Sequence, residues 1–560
     1  MSRRGLFRVS LPLMSRLTDT IKQNIPQWQF LRRGIDLRPI WHQFGLLPIV
    51  ALTALLAPFV PSPPGSVQRH GAQTVCVEAG AALLLAALLC RPWPLSSPRL
   101  SSLSLSSLRS SFQAAPLARL TFLFLALLLL WGLISCVSAP TAFAVQGLLL
   151  LGVGVLVASV TAAQASSTRR ALLAVASVVL PALLVAFSGL IQMGSGSNPL
   201  AVGVLKDHQL FGAFLLLPLP LCLALSLAPG PLTQRLTGQT ALLICAAGLR
   251  ESQNRSAWLG TAVSLVVFAG LLCYLYAADY RDAGSRSRER RRRERRRRNR
   301  KSYDRKSYDR RSRASAPELP EMRLSRGNAI VPALLGLVAL IGFVLISPSL
   351  DARFARMRPA APVMHGSDES FRWRKIVWLG TRRMIAEKPL AGWGVGSFPA
   401  RHEPFTHTGY PADRVSVRGP SIEDEAHDSY LQVWAEGGIV GLLLWLGAFF
   451  SLIGSGVQSL RHLRRGSVKQ WILIGGISAV IGQMTDALAN PAWQFGNVLL
   501  PLWIVFGLTA ALSAPRREAQ APPARPLLWR IAQYGFAAAL GLWLLSLIWR
   551  TAFALPAPHL

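Results

Sequence analysis

Runs of about twenty apolar residues, joined by short polar segments, fix what this chain can become, because that length lets an α-helix cross the hydrocarbon core of a bilayer. They fall at roughly 44–61, 73–90, 117–137, 143–163, 171–192, 209–228, 256–277, 329–348, 429–455, 470–489, 495–514 and 527–549, with a shorter one at 238–249. With 51% apolar and only 15% charged residues over 560 positions, an ordinary soluble fold is excluded. The expectation is an all-α polytopic membrane protein with about 12–13 transmembrane helices.

The net charge of +34 would point to nucleic acid if it were spread over a surface, but much of it lies in one block, 281–313, and in short joints between helices. That block holds KSYDR twice in succession, at 301–305 and 306–310, and almost no aliphatic residues, so it cannot bury a core. Positive joints mark the cytoplasmic side. If the N-terminal tail is cytoplasmic, the basic joints at 91–116, 164–170, 229–237, 278–328, 456–469 and 515–526 all fall on that side. The opposite side receives 193–208, the polar break at 250–255, a loop of about eighty residues at 349–428, and the turn at 490–494. Lys206, His208, Arg250, Arg255, Arg374 and His427 are thereby placed at one membrane face.

The chain divides into a cytoplasmic tail at 1–43, helices at 44–280, the basic loop 281–328, one helix at 329–348, the extracytoplasmic loop 349–428, and helices at 429–560. Arg3, Arg4 and Arg8 are not followed by a short apolar core and cleavage site, so the first membrane helix is the expected insertion signal. The six cysteines fall in or beside apolar runs without paired or metal-type spacing, which predicts neither disulfide nor zinc site.

Three places can carry chemistry. Arg255, in SQNRSAWLG, opens a span, where a guanidinium either snorkels to headgroups or meets an anion, with Glu251 as a simple ion-pair alternative. In the long loop, Phe371, Ile376, Trp378, Leu379 and Ile385 recur at helical spacing, with Arg372, Arg374, Lys375, Arg382 and Arg383 opposite. This predicts an amphipathic helix on the membrane, whose plainer role is a headgroup anchor. The glycines Gly392, Gly394 and Gly396 that follow build a turn whose amides can approach a ligand. His427 stands between an acidic segment and an apolar run, with Glu425 and Asp428 beside it. A carboxylate can orient such a ring for acid or base work, a structural histidine is the plain alternative, and a divalent cation held by Glu423, Asp424, Glu425 and His427 is another. His208, after Lys206 and Asp207, reads first as a loop residue.

The ordered series NRSAWLG at 254–260, Arg374 to Trp378 leading into PLAGWGVGSF at 389–398, and AHDSYLQVWAEGGIVGLLL at 426–444 resembles the O-antigen ligase and O-antigen polymerase superfamily. The resemblance covers roughly residues 200–455. It implies a bacterial inner-membrane glycosyltransferase of the C type, with its active-site loop periplasmic, acting on a polyprenyl-diphosphate-linked glycan without metal or cofactor. Arg255 and Arg374, with Arg372 close by, would bind the diphosphate, and His427 would activate the acceptor hydroxyl of a lipid, protein or glycan. Glu425, Asp428, His208 and Lys206 would support them. Where the family usually has asparagine after the histidine, this chain has Asp428. A transporter or flippase of the same lipid-linked sugar, without chemistry, is the alternative; such proteins usually show internal repeats and mid-membrane charges, and neither is evident here. A scaffold holding anionic lipid or RNA through the basic block is a third reading.

Overall fold

The computed structural model describes residues 46–59, 77, 79–81, 83–84, 116–138, 142–195, 200–277, 366–406 and 425–513. The expected tail at 1–43, basic loop at 281–328, and runs at 329–348 and 527–549 lie outside the described residues, as do Glu423 and Asp424. The principal helices are α1 Leu47–Leu56, α2 Pro116–Ser138, α3 Ala142–Gln164, α4 Thr168–Gly194, α5 His208–Leu216 and α6 Leu219–Leu227. They continue as α7 Leu232–Glu251, α8 Arg255–Ala277, α9 Gly366–Glu387, α10 Ser429–Leu460, α11 Val468–Asp486 and α12 Gly496–Ser513.

Among the described residues, 7 stretches are long and apolar enough to span a bilayer: Leu117–Ser135, Ala144–Gln164, Thr168–Gly194, His208–Leu227, Arg255–Ala277, Ser429–Leu460 and Gly496–Ser513. The regular structure of the described residues is all helical, and the protein is an integral membrane protein. Every residue of α12 is buried, so this helix is the axis of the bundle, with α3 and α10 packed against it and α2 lying along α10. Leu123, Leu127, Leu130, Leu133 and Ile134 of α2 face outward, as lipid-exposed positions do.

Three elements differ from the hydropathy reading. The run at 209–228 is two helices, because Pro218 and Pro220 interrupt the hydrogen-bond ladder. The short run at 238–249 belongs to the 20-residue helix α7, whose first two turns are too polar for hydropathy to register. The third is α10, which runs to Leu460 and is broken at Gly438, where φ is +65°.

That break organises the fold. Interrupting a helix at a buried position frees peptide groups that need new partners inside the protein. Here residues 389–396 dock into the gap: Ile439 N donates to Pro389 O (2.9 Å), Trp393 N to Ala435 O (2.9 Å) and Gly394 N to Glu436 O (2.8 Å). Trp131 Nε1 of α2 donates to Gly437 O at 2.7 Å. The approach is so close that a Cβ at Gly438 would lie 2.0 Å from Leu390 O, and one at Gly392 (φ +72°) would lie 2.3 Å from Glu436 O.

The bundle has two chemically distinct ends. At one, Lys469 Nζ donates to Ser166 O, and Arg461 sits over the Tyr274 ring at 4.5 Å, so the basic joints at 164–170 and 456–469 share that end. At the other end lie the N-termini of α5, α8 and α10.

The break yields a paired prediction. Gly438→Ala puts a side chain at φ +65°, ψ −176°, a region open essentially to glycine alone, at about 1–3 kcal/mol, and adds a backbone clash on top. It should sharply lower the thermal midpoint of detergent-purified protein or prevent folding. Gly437→Ala, whose Cβ meets nothing within 4 Å, should stay close to the parent protein.

Candidate functional site

Three non-glycine residues among those described have positive φ: Lys206 (56°), Gln253 (52°) and His427 (53°). Each immediately precedes an aspartate or asparagine that caps a helix. Asp207 Oδ1 accepts from Gln209 N (2.7 Å) and Leu210 N (3.0 Å) at the start of α5. Asn254 Oδ1 accepts from Ala257 N (3.2 Å) at the start of α8. Asp428 Oδ1 accepts from Tyr430 N (2.9 Å) and Leu431 N (3.0 Å) at the start of α10. A left-handed residue followed by an Asx cap turns the chain sharply into a helix, and the conformation costs about 1 kcal/mol or more.

Hydrogen bonds tie the three starts together. Gln209 O accepts from Asn254 Nδ2 at 2.7 Å and from Asn490 Nδ2 at 3.2 Å. Ser429 N donates to Ala487 O (2.9 Å), and Ser429 Oγ donates to Asn490 O (2.9 Å). Tyr430 Oη donates to Met484 O at 2.7 Å. Ser256 Oγ donates to Asp486 Oδ1 (2.8 Å) and lies 2.7 Å from Asn254 Oδ1. The positive ends of three helix dipoles therefore converge on one region. The caps consume first-turn amides, so what remains is the field of the helix ends.

Into this region α9 brings Arg374. It lies on the stripe shared with the buried Val377, Thr381 and Met384, whereas Lys375, Arg382 and Arg383 are exposed. A protein-facing stripe therefore lies beside the apolar positions read from the sequence, and Arg374 belongs to it and not to the exposed basic face. Ile385 is buried, but Leu379 is 46% exposed, and the inward stripe is Val377, Thr381 and Met384, with Phe398 and His402 packed beneath. Periodicity finds an amphipathic helix but cannot tell an apolar face turned to lipid from one turned to protein. Burial lowers the Arg374 guanidinium from its ordinary value, and the Asp486 carboxylate opposes that effect. Arg374 also lies within electrostatic range of His208 and makes no direct ion pair among the described residues.

The other expected residues fall as follows. Arg255 is exposed at the first turn of α8 and forms no ion pair among the described residues, because Glu251 pairs instead with Arg250 at 3.4 Å. His208 begins α5, and Lys206 is exposed two residues before it. His427 and Glu425 are half-buried ahead of α10. The Asp428 carboxylate works on the backbone as the cap of α10; burial pushes it up, and the Leu431 and Tyr430 amides pull it down. Arg372 lies within α9, and its side chain is outside the described ones.

The glycine series is corrected. Gly392, Gly394 and Gly396 do adopt positive φ, but their amides are spent internally, on Lys388 O, Glu436 O and Glu436 Oε2 respectively. They seat a loop and are not presented to a ligand. Sequence reasoning missed two buried carboxylates, Asp486 (0% exposed) and Glu436 (7% exposed). Each stands alone in or at the end of an apolar run, and that isolation was the available signal.

An Asx cap predicts how position 428 responds to substitution. Asp428→Asn keeps the acceptor and should leave the thermal midpoint nearly unchanged, whereas Asp428→Ala should cost about 1 kcal/mol. Thermal unfolding of both variants in one detergent checks this.

Residues 317–446 match the family model described as O-antigen ligase. The matched stretch contains α9, the docked glycine loop, His427 and the break in α10, and ends before Asp486. Curated proteins yield no match. Over residues 317–446 the chain is similar to the O-antigen ligase and polymerase superfamily.

Proposed function

We propose that the protein is a membrane glycosyltransferase that moves a glycan from a polyprenyl-diphosphate carrier to an acceptor hydroxyl on a lipid, a protein or another glycan. The observation that carries the proposal is the placing of an inward, half-buried Arg374 at the convergence of three capped helix starts, one of them led by His427. The family match over the same segment supports it.

In this proposal Arg374 and Arg255, with Arg372 two positions from Arg374 in sequence as a further candidate, hold the diphosphate. A guanidinium fork matches phosphate oxygens two at a time, and in a partly dehydrated site it neutralises the charge that builds as the diphosphate leaves. His427 takes the proton from the acceptor hydroxyl. A C–O bond forms from that oxygen to the anomeric carbon, the bond to the diphosphate oxygen breaks, and attack from the opposite face inverts the centre. Lys206, His208 and the helix ends add positive potential, Glu425 supports His427, and Asp428 fixes the start of its helix. Ligase and polymerase activities share this step and differ only in the acceptor. The site end is assigned to the periplasmic side of the bacterial inner membrane on the strength of the basic joints at the other end.

The test is release of polyprenyl diphosphate from a lipid-linked oligosaccharide by detergent-purified protein in the presence of chelator. Turnover is expected for the parent protein. Loss of a general base predicts a fall of about a hundredfold to ten-thousandfold for His427→Ala. Arg374→Lys, which keeps charge but loses the fork, should also be severely impaired. Full turnover by His427→Ala defeats the assignment of the base. Movement of labelled lipid across vesicle membranes without any release identifies a transporter instead.

A further inference from the structure

We infer that Gln432 and Glu436 form a hydrogen-bonded relay that positions His427, by locking its left-handed backbone to the glycine loop that follows the arginine-bearing helix. The inference rests on the assignment of His427 as the base.

The relay can be followed atom by atom. Ala426 N, one residue before His427, donates to Gln432 Oε1 at 3.0 Å. Gln432 Nε2, one turn before Glu436, donates to Glu436 Oε1 at 3.2 Å. Glu436 Oε2 accepts from Gly396 N at 2.8 Å, and Oε1 also accepts from Phe398 N at 3.3 Å. Gln432 and Glu436 are 2% and 7% exposed, so each of these groups would be costly to leave unpaired. The chemistry of the partners fixes the direction. A backbone N–H needs the oxygen end of the Gln432 amide, and the carboxylate needs its nitrogen end. Three donors converge on Glu436, which as a carboxylate only accepts.

A relay is needed because His427 holds φ at +53°, a conformation an L-residue leaves unless its flanks are fixed. On the C-terminal side it is fixed by the Asp428 cap and by Ser429 N bonded to Ala487 O. On the N-terminal side, the Ala426 amide is fixed by Gln432. The far end of the relay is the loop that also fills the helix break, so the segment carrying Arg374 and the segment carrying His427 are joined through two side chains of α10. Gln432 and Glu436 are positioning residues: they act on His427 through its backbone.

The relay has a polarity that can be reversed. Gln432→Glu opposes two carboxylates and leaves Glu436 without its amide donor. Adding Glu436→Gln restores a donor–acceptor pair pointing the other way, with an oxygen still available to Ala426 N and another to Gly396 N, while the Phe398 amide loses the acceptor it has at Oε1. Gln432→Met removes both bonds at similar volume and serves where Gln432→Glu does not fold. The readouts are kcat and KM for lipid-linked donor, and deuterium uptake by the 425–431 segment. For Gln432→Glu and Gln432→Met, kcat should fall at least about tenfold, in keeping with small misplacements of a reacting group, while donor KM stays within about twofold. Uptake at 425–431 should be faster. The double variant Gln432→Glu/Glu436→Gln should recover much of the lost kcat and slow uptake at 425–431 again, short of the parent protein because the Phe398 amide is left without its acceptor. Unchanged kcat in Gln432→Met, a loss confined to KM, or a folded double variant without recovery overturns the inference. If the parent protein releases no diphosphate, the transferase assignment falls separately. Uptake then decides the relay, and equal uptake in parent and Gln432→Met overturns it.

Discussion

A helix interrupted at a buried position must give its freed peptide groups new partners, and most of what is distinctive in this structure follows from how α10 meets that demand at Gly438. The partners come from residues 389–394 and from Trp131. The loop does more than plug a gap. It draws the end of α9 against α10, and the same α10 segment carries the carboxylate that holds Gly396 and Phe398. Two motifs about forty residues apart in sequence, PLAGWGVGSF and VWAEGG, are thereby one physical unit.

The converging helix starts place positive potential where α9 delivers its inward arginine. Each start uses a strained residue and an Asx cap, so the turn into the membrane is sharp and the cap, not water, satisfies the first amides. The buried Asp486 sits at the same junction, bonded to Ser256 and Asn490 and close enough to influence Arg374. It gives the arginine a counter-charge at a distance, with no direct ion pair to the guanidinium among the described residues. A site meant only to neutralise Arg374 would place the carboxylate in contact with it.

Much of this architecture was legible in the sequence, because hydrophobic length and the placing of arginines are direct consequences of the bilayer. The spans at 117–137, 143–163, 171–192 and 256–277 and the gathering of Lys206, His208, Arg255, Arg374 and His427 at one end of the bundle followed from those two rules. What was illegible depended on partners distant in sequence. Glu436 looks like a defect in an apolar run until the loop that solvates it is known. The glycines at 392, 394 and 396 look equally suited to cradling a phosphate or another strand of backbone, and composition cannot choose between them. On α9 the protein-facing stripe of Val377, Thr381 and Met384 was not legible, because Thr381 breaks its apolar pattern and Arg374 shares its side.

The proposed mechanism requires the diphosphate to lie at the junction of α5, α8 and α10 beside Arg374. The most direct measurement is a structure of the protein bound to a non-transferable analogue of a polyprenyl-diphosphate sugar. Diphosphate density is expected within hydrogen-bond reach of Arg374, with the sugar turned toward His427. Density at the end of the bundle that carries Arg461 and Lys469, or between helices with His427 away from the sugar, contradicts the mechanism.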